Sequence, residues 1–503
     1  MTGIGDRHRG MAGGALRLGG RPVSVEIKLA RDAHLAPVQH TAWMLINTLC
    51  RLEGVINAVR LTCPIHAHTI RRLSPLVSQS PNLIHSLISA AQTIGTASDG
   101  FACVELASDR ASDLVIGVGF DFCPEADFCV IGNGLCGGVF SRPIKIPAQI
   151  SDLTIGPYLA GCLAAGEIFR LVRLIDYAPK HQLFLTATDY SHGSEPVWSQ
   201  PQLLAEIPSV LLVGAGAVGC ALLHALYPLS ISGTILVADN DPLGIDLTNL
   251  GRYSLFGSAA LGKQKASHAA KLLRGAEFRT EHHDGGFEYF FEGQNKPAIV
   301  LSAVDTNPSR HALQEQYAPL FLSASTLNLR AEVLRCGPPS EGACLACFNP
   351  LKTNERTEEE IRALLLERPE MIDRLSEKLG LNRDEVAIWI HERKCSETGE
   401  RLVEDLRTDD GSVPAFAVGF VSVLAGTFLA AELLKSSGNC IGPLDEMRNR
   451  AVFQFQNPAA VTNGAHYYPR DERCTACSPQ NTGARIWRQR FEEFRKITKS
   501  AAP

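Results

Sequence analysis

The stretch from Val210 to Ala266 constrains this chain more than any other. An apolar run, Val210-Leu-Leu-Val213, leads into Gly214-Ala-Gly216-Ala-Val-Gly219 and then into an apolar-periodic segment. That order predicts a strand, a glycine-rich turn and a helix. Glycines at such a turn let the backbone approach a pyrophosphate, and the helix N-terminus offers unpaired N–H groups and a partial positive charge. A second predicted strand, Thr234 to Val237, leads to Asp239, an acidic side chain placed to meet the hydroxyls of a nucleotide ribose. The expected fold class is therefore α/β, with a Rossmann-like nucleotide-binding unit.

A nicotinamide enzyme is the default reading of that fingerprint, but the residues that follow argue otherwise. Asp239 and Asp241, then Asn249 and Arg252, then Lys263 and Lys265 put two acids, an amide and three cations close together along the chain. Hydride transfer has no need of so many cations beside its phosphate loop. A triphosphate and a departing pyrophosphate do, because phosphoryl chemistry asks the protein for positioning and charge neutralisation.

Taken together, Gly214 to Gly219, Asp239-x-Asp241, Thr248-Asn249-Leu250-Gly251-Arg252 and Gly262-Lys263-Gln264-Lys265-Ala266 resemble the adenylation core of the ThiF/MoeB and ubiquitin-activating enzyme superfamily. Leu301-Ser-Ala-Val-Asp305, followed by Arg310, resembles that family's aspartate-bearing strand, and the likeness runs over most of residues 205–480. Tyr253 stands where the family usually has glutamine and Thr306 where it has asparagine; neither departure removes a charge. The resemblance implies that Gly214, Gly216 and Gly219 cradle phosphate and that Asp241, or Asp239, holds the ribose. It implies that Asn249, Arg252 and Lys265 carry the phosphates, with Lys263 the rival of Lys265 beside the reacting phosphorus. Asp305 is expected to bind magnesium.

Cysteines supply the second set of signals. The chain has 15 of them and no apolar leader, which points to a reducing cytoplasm rather than a disulfide framework. Cys344-x-x-Cys347 and Cys474-x-x-Cys477 have the spacing of two zinc knuckles, and four thiolates would close a structural tetrahedral site. Incidental cysteines and a redox pair are the alternatives. Between the pairs, residues 353–411 are dense in charge, with apolar residues at helical spacing: Ile361/Leu364/Leu365, Ile372/Leu375/Leu379 and Val386/Trp389/Ile390. This predicts a small helical insertion. Within it Cys395 follows His391, Arg393 and Lys394, cationic neighbours that favour the thiolate, and Ser396, Thr398 and Gly399 predict an exposed turn there. The superfamily carries its thioester cysteine in the same interval, so the resemblance makes Cys395 the nucleophile; a buried filler is the alternative. Cys220 reads as core, and Cys336 and Cys440 are unassigned.

The remainder sets bounds. Net charge is −5 with lysine and arginine dispersed, so there is no nucleic-acid footprint. Residues 1–21 are rich in glycine and arginine without an apolar core and read as a disordered N-terminus, neither signal nor anchor. Val413 to Ala431 is uncharged and about as long as a spanning helix, but Pro414 and the lack of aromatic anchors favour a core or interface helix. Residues 22–178 lack the phosphate-site signals. They nonetheless read as helical near Thr41 to Leu52 and strand-like at Asp113 to Gly119 and Phe128 to Ile131. Their last helix, Leu159-Ala-Gly161 through Glu167, can be laid on Leu424-Ala-Gly426 through Glu432 at equal spacing. Chance likeness of two alanine-rich helices is one explanation; an inactive, degenerate copy of the adenylation fold is the other. The expected organisation is an inactive adenylation-like domain at 22–178, a linker at 179–208 and an active domain at 209–352 and 412–503, interrupted by the insertion at 353–411.

By resemblance, the chain is most like the activating enzymes of bacterial ubiquitin-like conjugation operons associated with phage defence. That implies ATP, Mg2+ and Zn2+ as ligands and adenylation of the C-terminus of a ubiquitin-like protein. A thioester on Cys395 and transfer to a ubiquitin-conjugating-type enzyme would follow. No nucleic acid or membrane is expected as a partner, and the assembly would be an internal pseudo-dimer or a homodimer. A sulfur-carrier adenylyltransferase of the thiamine or molybdopterin type, a peptide adenylyltransferase and a non-enzymatic scaffold are the competing readings. The family often borrows an arginine from the partner half, and the sequence does not name it.

Overall fold

The computed structural model describes residues 21–174, 182–199, 206–292, 296–337, 342–351, 356–391, 397–407, 418–437, 444 and 448–500. The first half contains strands β1 (Val23–Leu29), β2 (Ile56–Thr62), β3 (Cys103–Leu106), β4 (Leu114–Val118), β5 (Phe128–Asn133), β6 (Cys136–Phe140), β7 (Leu183–Thr186) and β8 (His192–Gly193). The second half contains β9 (Val210–Val213), β10 (Thr234–Ala238), β11 (Arg279–His283), β12 (Ile299–Ser302), β13 (Leu320–Leu327), β14 (Arg330–Cys336), β15 (Arg450–Gln454) and β16 (Gly464–His466). Each set forms one eight-stranded sheet, in the orders β3-β2-β1-β4-β5-β6-β7-β8 and β11-β10-β9-β12-β13-β14-β15-β16. In both, the first four pairings along the sheet are parallel and the last three antiparallel. The central strands read as unbroken apolar runs because helices cover both faces: all four residues of β9 and of β12 are buried.

Helices of the first half are α1 (Ala36–Leu49), α2 (Leu83–Ile94) and α3 (Ile155–Arg173). Those of the second are α4 (Ala217–Leu226), α5 (Leu247–Leu250), α6 (Lys265–Leu272), α7 (Asn307–Gln314), α8 (Leu345–Phe348), α9 (Glu358–Glu367), α10 (Glu370–Leu379), α11 (Arg383–His391), α12 (Glu397–Arg407), α13 (Gly419–Ser437) and α14 (Thr482–Ser500). Helices α3 and α13 are the two described helices long and apolar enough to cross a membrane, and both are buried in the core instead. The repeat seen in sequence is a repeat of packing. A side chain at Gly161 would meet Leu45 N and Met44 on α1, and one at Gly426 would meet Val218 O and Ala221 on α4. Each glycine thus lets the long helix approach the first helix of its own half. Glu167 pairs with Arg170, and Glu432 with Lys435, at the same two places along α3 and α13.

One continuous apolar core runs through both halves. Across the junction, Phe169 on α3 packs on Phe420 on α13 with ring centroids 5.6 Å apart. Trp43 Nε1 donates to His224 Nε2 at 3.2 Å, and Tyr190 Oη donates to Glu432 Oε1 at 2.5 Å. The linker expected at 179–208 is corrected here: it contributes β7 and β8 to the first sheet. Leu183-Phe-Leu-Thr186 is too short an apolar run to stand out among the flanking polar and proline residues.

Candidate functional site

The C-terminal ends of β9, β10 and β12 lie side by side, in register Ala238↔Val213↔Ser302, where the strand order reverses direction from β9. Open α/β sheets bind ligands at such a point. Gly214 leaves β9 with φ +94°, and its N–H donates to Ala238 O at 2.9 Å. A Cβ on Gly219 would sit 2.0 Å from Gly214 O, so that glycine closes the turn against the helix. Around Gly216 the space is open: the nearest atom to a Cβ there is Tyr253 Oη at 3.6 Å.

The two aspartates divide their work. Asp239 accepts from Ala215 N at 2.7 Å and from Asp241 N at 3.1 Å, fixing the turn and its own loop. Burial pushes the Asp239 carboxyl above the usual range, while Lys265 and these N–H groups pull it down. Asp241 instead holds Lys265, with Nζ 2.5 Å from Oδ2. Burial works against the charge on Lys265, but Tyr253, Asp239 and Asp241 outweigh it and hold its pKa above the ordinary value. Its rival Lys263 is exposed. Tyr253 is buried, with the Lys265 ammonium 5.7 Å from its ring centroid.

Asn249 shares a capping box with Asp246 at the start of α5: its N–H donates to Asp246 Oδ1 at 2.8 Å, and its Oδ1 accepts from Asp246 N at 3.1 Å. Its amide NH2 is the group that could reach a phosphate. Arg252 follows on the same loop, half-buried. Asp305 is exposed at the mouth, just past β12. Arg310 shapes that loop by donating to Val304 O at 2.7 Å and Asn307 Oδ1 at 2.9 Å. Sequence reasoning noted Arg310 but gave it no role. Thr306 caps α7, accepting from Ser309 N at 3.3 Å, which accounts for a hydroxyl where the family has an amide.

The matching place in the first half is chemically different. After β1 comes Ala30-Arg31-Asp32 in place of a glycine turn, and Asp32 Oδ2 accepts from Phe120 N at 2.9 Å, just beyond β4. A carboxylate there opposes an anion.

The four paired cysteines come together. Sγ–Sγ distances are 3.6 Å for Cys344–Cys347, 3.5 Å for Cys344–Cys474 and 3.5 Å for Cys347–Cys477, and all four sulfurs lie within 4.8 Å of one another. Thiolates about 2.3 Å from one tetrahedral ion lie about 3.8 Å apart, so the donor set fits. Asp471 N points at Cys347 Sγ at 3.4 Å. The cluster shares its apolar surroundings with Leu211 and Val213 of β9 and with Trp487 of α14.

Among the described residues, 353–411 contain four helices around their own small core of Ile361, Leu365, Leu375, Val386, Trp389, Ile390, Leu402 and Leu406. Cys395 lies outside the described residues, as do Arg393, Lys394 and Cys440. The turn expected at Cys395 lies outside the described residues too; of the residues that signal it, Thr398 and Gly399 fall within α12, which begins at Glu397. Gly399 is there because a side chain would run into Trp389, with a Cβ 1.9 Å from Nε1, and Thr398 Oγ1 donates to Glu385 Oε2 at 3.1 Å. Cys220 is core, its thiol donating to Ala215 O at 3.2 Å, and Cys336 is fully buried in β14.

The sequence profile of the ThiF family matches residues 198–476, more than half of the chain. The chain belongs to the ThiF family. An uncharacterised protein of Sinorhizobium fredii, y4jF, is 26% identical over 336 residues, covering 61% of this chain and 64% of the relative. The NEDD8-activating enzyme E1 catalytic subunit of Caenorhabditis elegans is 35% identical over 121 residues, 22% of this chain and 26% of that one. The adenylyltransferase and sulfurtransferase UBA4 of Kluyveromyces lactis is 28% identical over 160 residues, 30% of this chain and 34% of that one. The chain therefore spans less than two thirds of the length of these relatives. Among solved structures, Escherichia coli MccB aligns at 18% identity with a TM-score of 0.35, covering 54% of this chain and 66% of that one.

Proposed function

We propose that the protein is an ATP-dependent adenylyltransferase that activates the C-terminus of a ubiquitin-like protein. The observation that supports this reading is the Asp241–Lys265 pair beside the glycine turn at the ends of β9 and β10, with Asp305 just past β12 and Arg252 next to Tyr253, whose hydroxyl lies nearest to Gly216. Membership of the ThiF family supports it, and so do the names of the activating and adenylyltransferase relatives.

In the proposed first step a carboxylate oxygen attacks the α-phosphorus of ATP. The new P–O bond forms as the bond to the bridging oxygen breaks, and pyrophosphate leaves. Gly214, Gly216 and Gly219 admit the phosphates to the helix N-terminus, and Asp241 meets the ribose. Asn249, Arg252 and Lys265 offset the charge that builds on the phosphates. Asp305 would hold Mg2+, which supplies further neutralisation of the triphosphate. In the second step the thiolate of Cys395 would attack the acyl carbon and release AMP, leaving a thioester for a ubiquitin-conjugating-type partner. Cys344, Cys347, Cys474 and Cys477 would hold one Zn2+ with no open position, a structural role. The first half would be the inactive copy, its phosphate place filled by Asp32, and the two halves an internal pseudo-dimer. A cytoplasmic setting in bacterial antiphage conjugation belongs to the same reading.

The test is ATP–pyrophosphate exchange with the wild-type chain and a candidate ubiquitin-like protein bearing a free C-terminus. Magnesium-dependent exchange that is lost in Asp305→Ala supports the reading; no exchange and no ATP binding overturns it. The sulfur-carrier alternative shares the first step and lacks the second. The charged four-helix insertion, which that reaction does not need, favours the conjugation reading.

A further inference from the structure

The loop from Leu250 to Phe256 carries Arg252 and Tyr253, yet it belongs to neither sheet and is deeply buried: Leu250, Leu255 and Phe256 are 0% exposed and Ser254 is 1%. Buried carbonyls need donors. Three of this loop's carbonyls find them on α1 of the other half or just past its end. Asn47 Nδ2 donates to Ser254 O at 2.9 Å, Arg51 Nη2 donates to Phe256 O at 2.8 Å, and Arg51 Nη1 donates to Leu250 O. Arg51 Nε donates to Asn47 Oδ1 at 2.7 Å, which locks the two side chains into one clamp. The gripped carbonyls bracket Arg252 and Tyr253 from both sides.

We infer that Arg51 and Asn47 are positioning residues of the nucleotide site: the N-terminal half sets the place of Arg252 and Tyr253 by holding the loop that carries them. The inference rests on the adenylation reading above. A guanidinium suits the task because its donors form a rigid fork, so one side chain reaches two carbonyls and an amide at once; an ammonium is a point charge and does not. Burial costs Arg51 some of its basicity, lowering its pKa to about 10, so it remains charged at neutral pH. Its three acceptors are neutral oxygens, an expensive environment for a cation if interface packing were the only return. On this account a half without a phosphate cradle still determines how tightly phosphate is held.

The experiment titrates the full-length wild-type chain, Arg51→Lys, Asn47→Ala and Arg252→Ala with Mg–ATP and separately with adenosine, by calorimetry. Loss of the clamp should weaken ATP by about tenfold in Arg51→Lys, and adenosine not at all, because adenosine has no phosphate for Arg252 to meet. Added to Arg252→Ala, the Arg51→Lys change should cost nothing more. If Arg51→Lys does not fold, Asn47→Ala should give a smaller loss confined to ATP. Equal losses for ATP and adenosine, or no loss for either, overturn the inference and leave only an interface contact. A wild-type chain that binds no ATP overturns the adenylation reading itself, and this inference with it.

Discussion

Lys265 Nζ lies 2.5 Å from Asp241 Oδ2, and the two side chains sit at opposite ends of one loop pair beside the glycine turn. Gly262 N donates to Ile245 O at 2.8 Å and Ile245 N to Lys263 O at 2.9 Å, so backbone pairing holds them together before any ligand arrives. Lys265→Ala should therefore lower ATP–pyrophosphate exchange by about a hundredfold or more, the usual size of a lost charge-stabilising group. The raised pKa of Lys265 contributes stability fully present below the ordinary lysine value of about 10.4 and lost only above it. This pair should then add no slope to stability between pH 6 and pH 9 in thermal melts. A slope there that disappears in Lys265→Ala would show that the lysine titrates in the neutral range.

The two inner glycines of the turn should separate folding from binding. A methyl at Gly219 would collide with Gly214 O, so Gly219→Ala should lower the melting temperature and ATP affinity together. At Gly216 nothing stands closer than 3.6 Å, so Gly216→Ala should melt within about a degree of wild type. Its methyl would still occupy the space a phosphate needs, and ATP affinity should fall. Unchanged affinity in Gly216→Ala would move the phosphates away from this turn.

Acid should loosen the junction between the halves. His40 and His224 are both buried, flanking Tyr158 with ring centroids 6.4 and 5.4 Å from it, and desolvation lowers each pKa to about 3. Unfolded histidines titrate near 6.5, so stability is fully present above that pH and is lost progressively as pH falls from there toward 3. At pH 5 the loss should be about 2 kcal/mol for each imidazole. Denaturant melts at pH 7.5 and 5.0 check this, with His40→Leu expected to remove about half of the difference. A difference that His40→Leu leaves intact would place the acid sensitivity elsewhere.

Much of the second half was legible because its chemistry is local. The glycine turn, Asp239-x-Asp241 and Lys265 lie within one continuous run from the end of β9 to the start of α6, and the cysteine pairs announce themselves by spacing. The doubling of the fold leaves only a trace in the sequence, since Gly161/Gly426 and Glu167/Glu432 are constrained by helix packing while Ala30-Arg31-Asp32 follows β1 where the second half has its glycine turn. Strands β7 and β8 leave little trace in the sequence: three apolar residues, Leu183 to Leu185, carry no period, and β8 is only His192-Gly193. Arg51 was invisible for a different reason. Its partners Leu250 and Phe256 lie about 200 residues away in sequence, and a backbone carbonyl leaves no mark on residue type.

The cysteine cluster makes a prediction about stability rather than chemistry. Purified protein should carry about one equivalent of zinc, and Cys477→Ser should cost on the order of 3 kcal/mol or more. The loss should appear first around α14, because Trp487 and Cys477 share one apolar cluster with Cys344 and β9. Metal analysis and hydrogen exchange over residues 482–496 are the measurements. A metal-free protein of wild-type stability would mean that four sulfurs within 4.8 Å are packing and not a site.

Cys395 decides between a conjugation enzyme and a sulfur-carrier adenylyltransferase. Adenylation precedes thiol attack, so Cys395→Ala should leave pyrophosphate exchange near wild type while abolishing the reductant-sensitive adduct with the ubiquitin-like partner. Neutralising His391, Arg393 and Lys394 should slow adduct formation more than exchange, since cations near a thiol raise its thiolate fraction. The structure removes one fallback: Cys336 is 0% exposed, and burial pushes its thiol well above the usual range, so it is a poor substitute nucleophile. Cys440 is then the next residue to test if Cys395→Ala still forms an adduct that reductant cleaves. If the wild-type chain accumulates acyl-adenylate and never forms an adduct, the thioester step is absent and the sulfur-carrier reading replaces it. Gly399→Ala gives an independent check on the insertion, because its methyl would press on Trp389 and displace the start of α12. That variant should keep exchange and lose transfer, as Cys395→Ala does, although its thiol is intact.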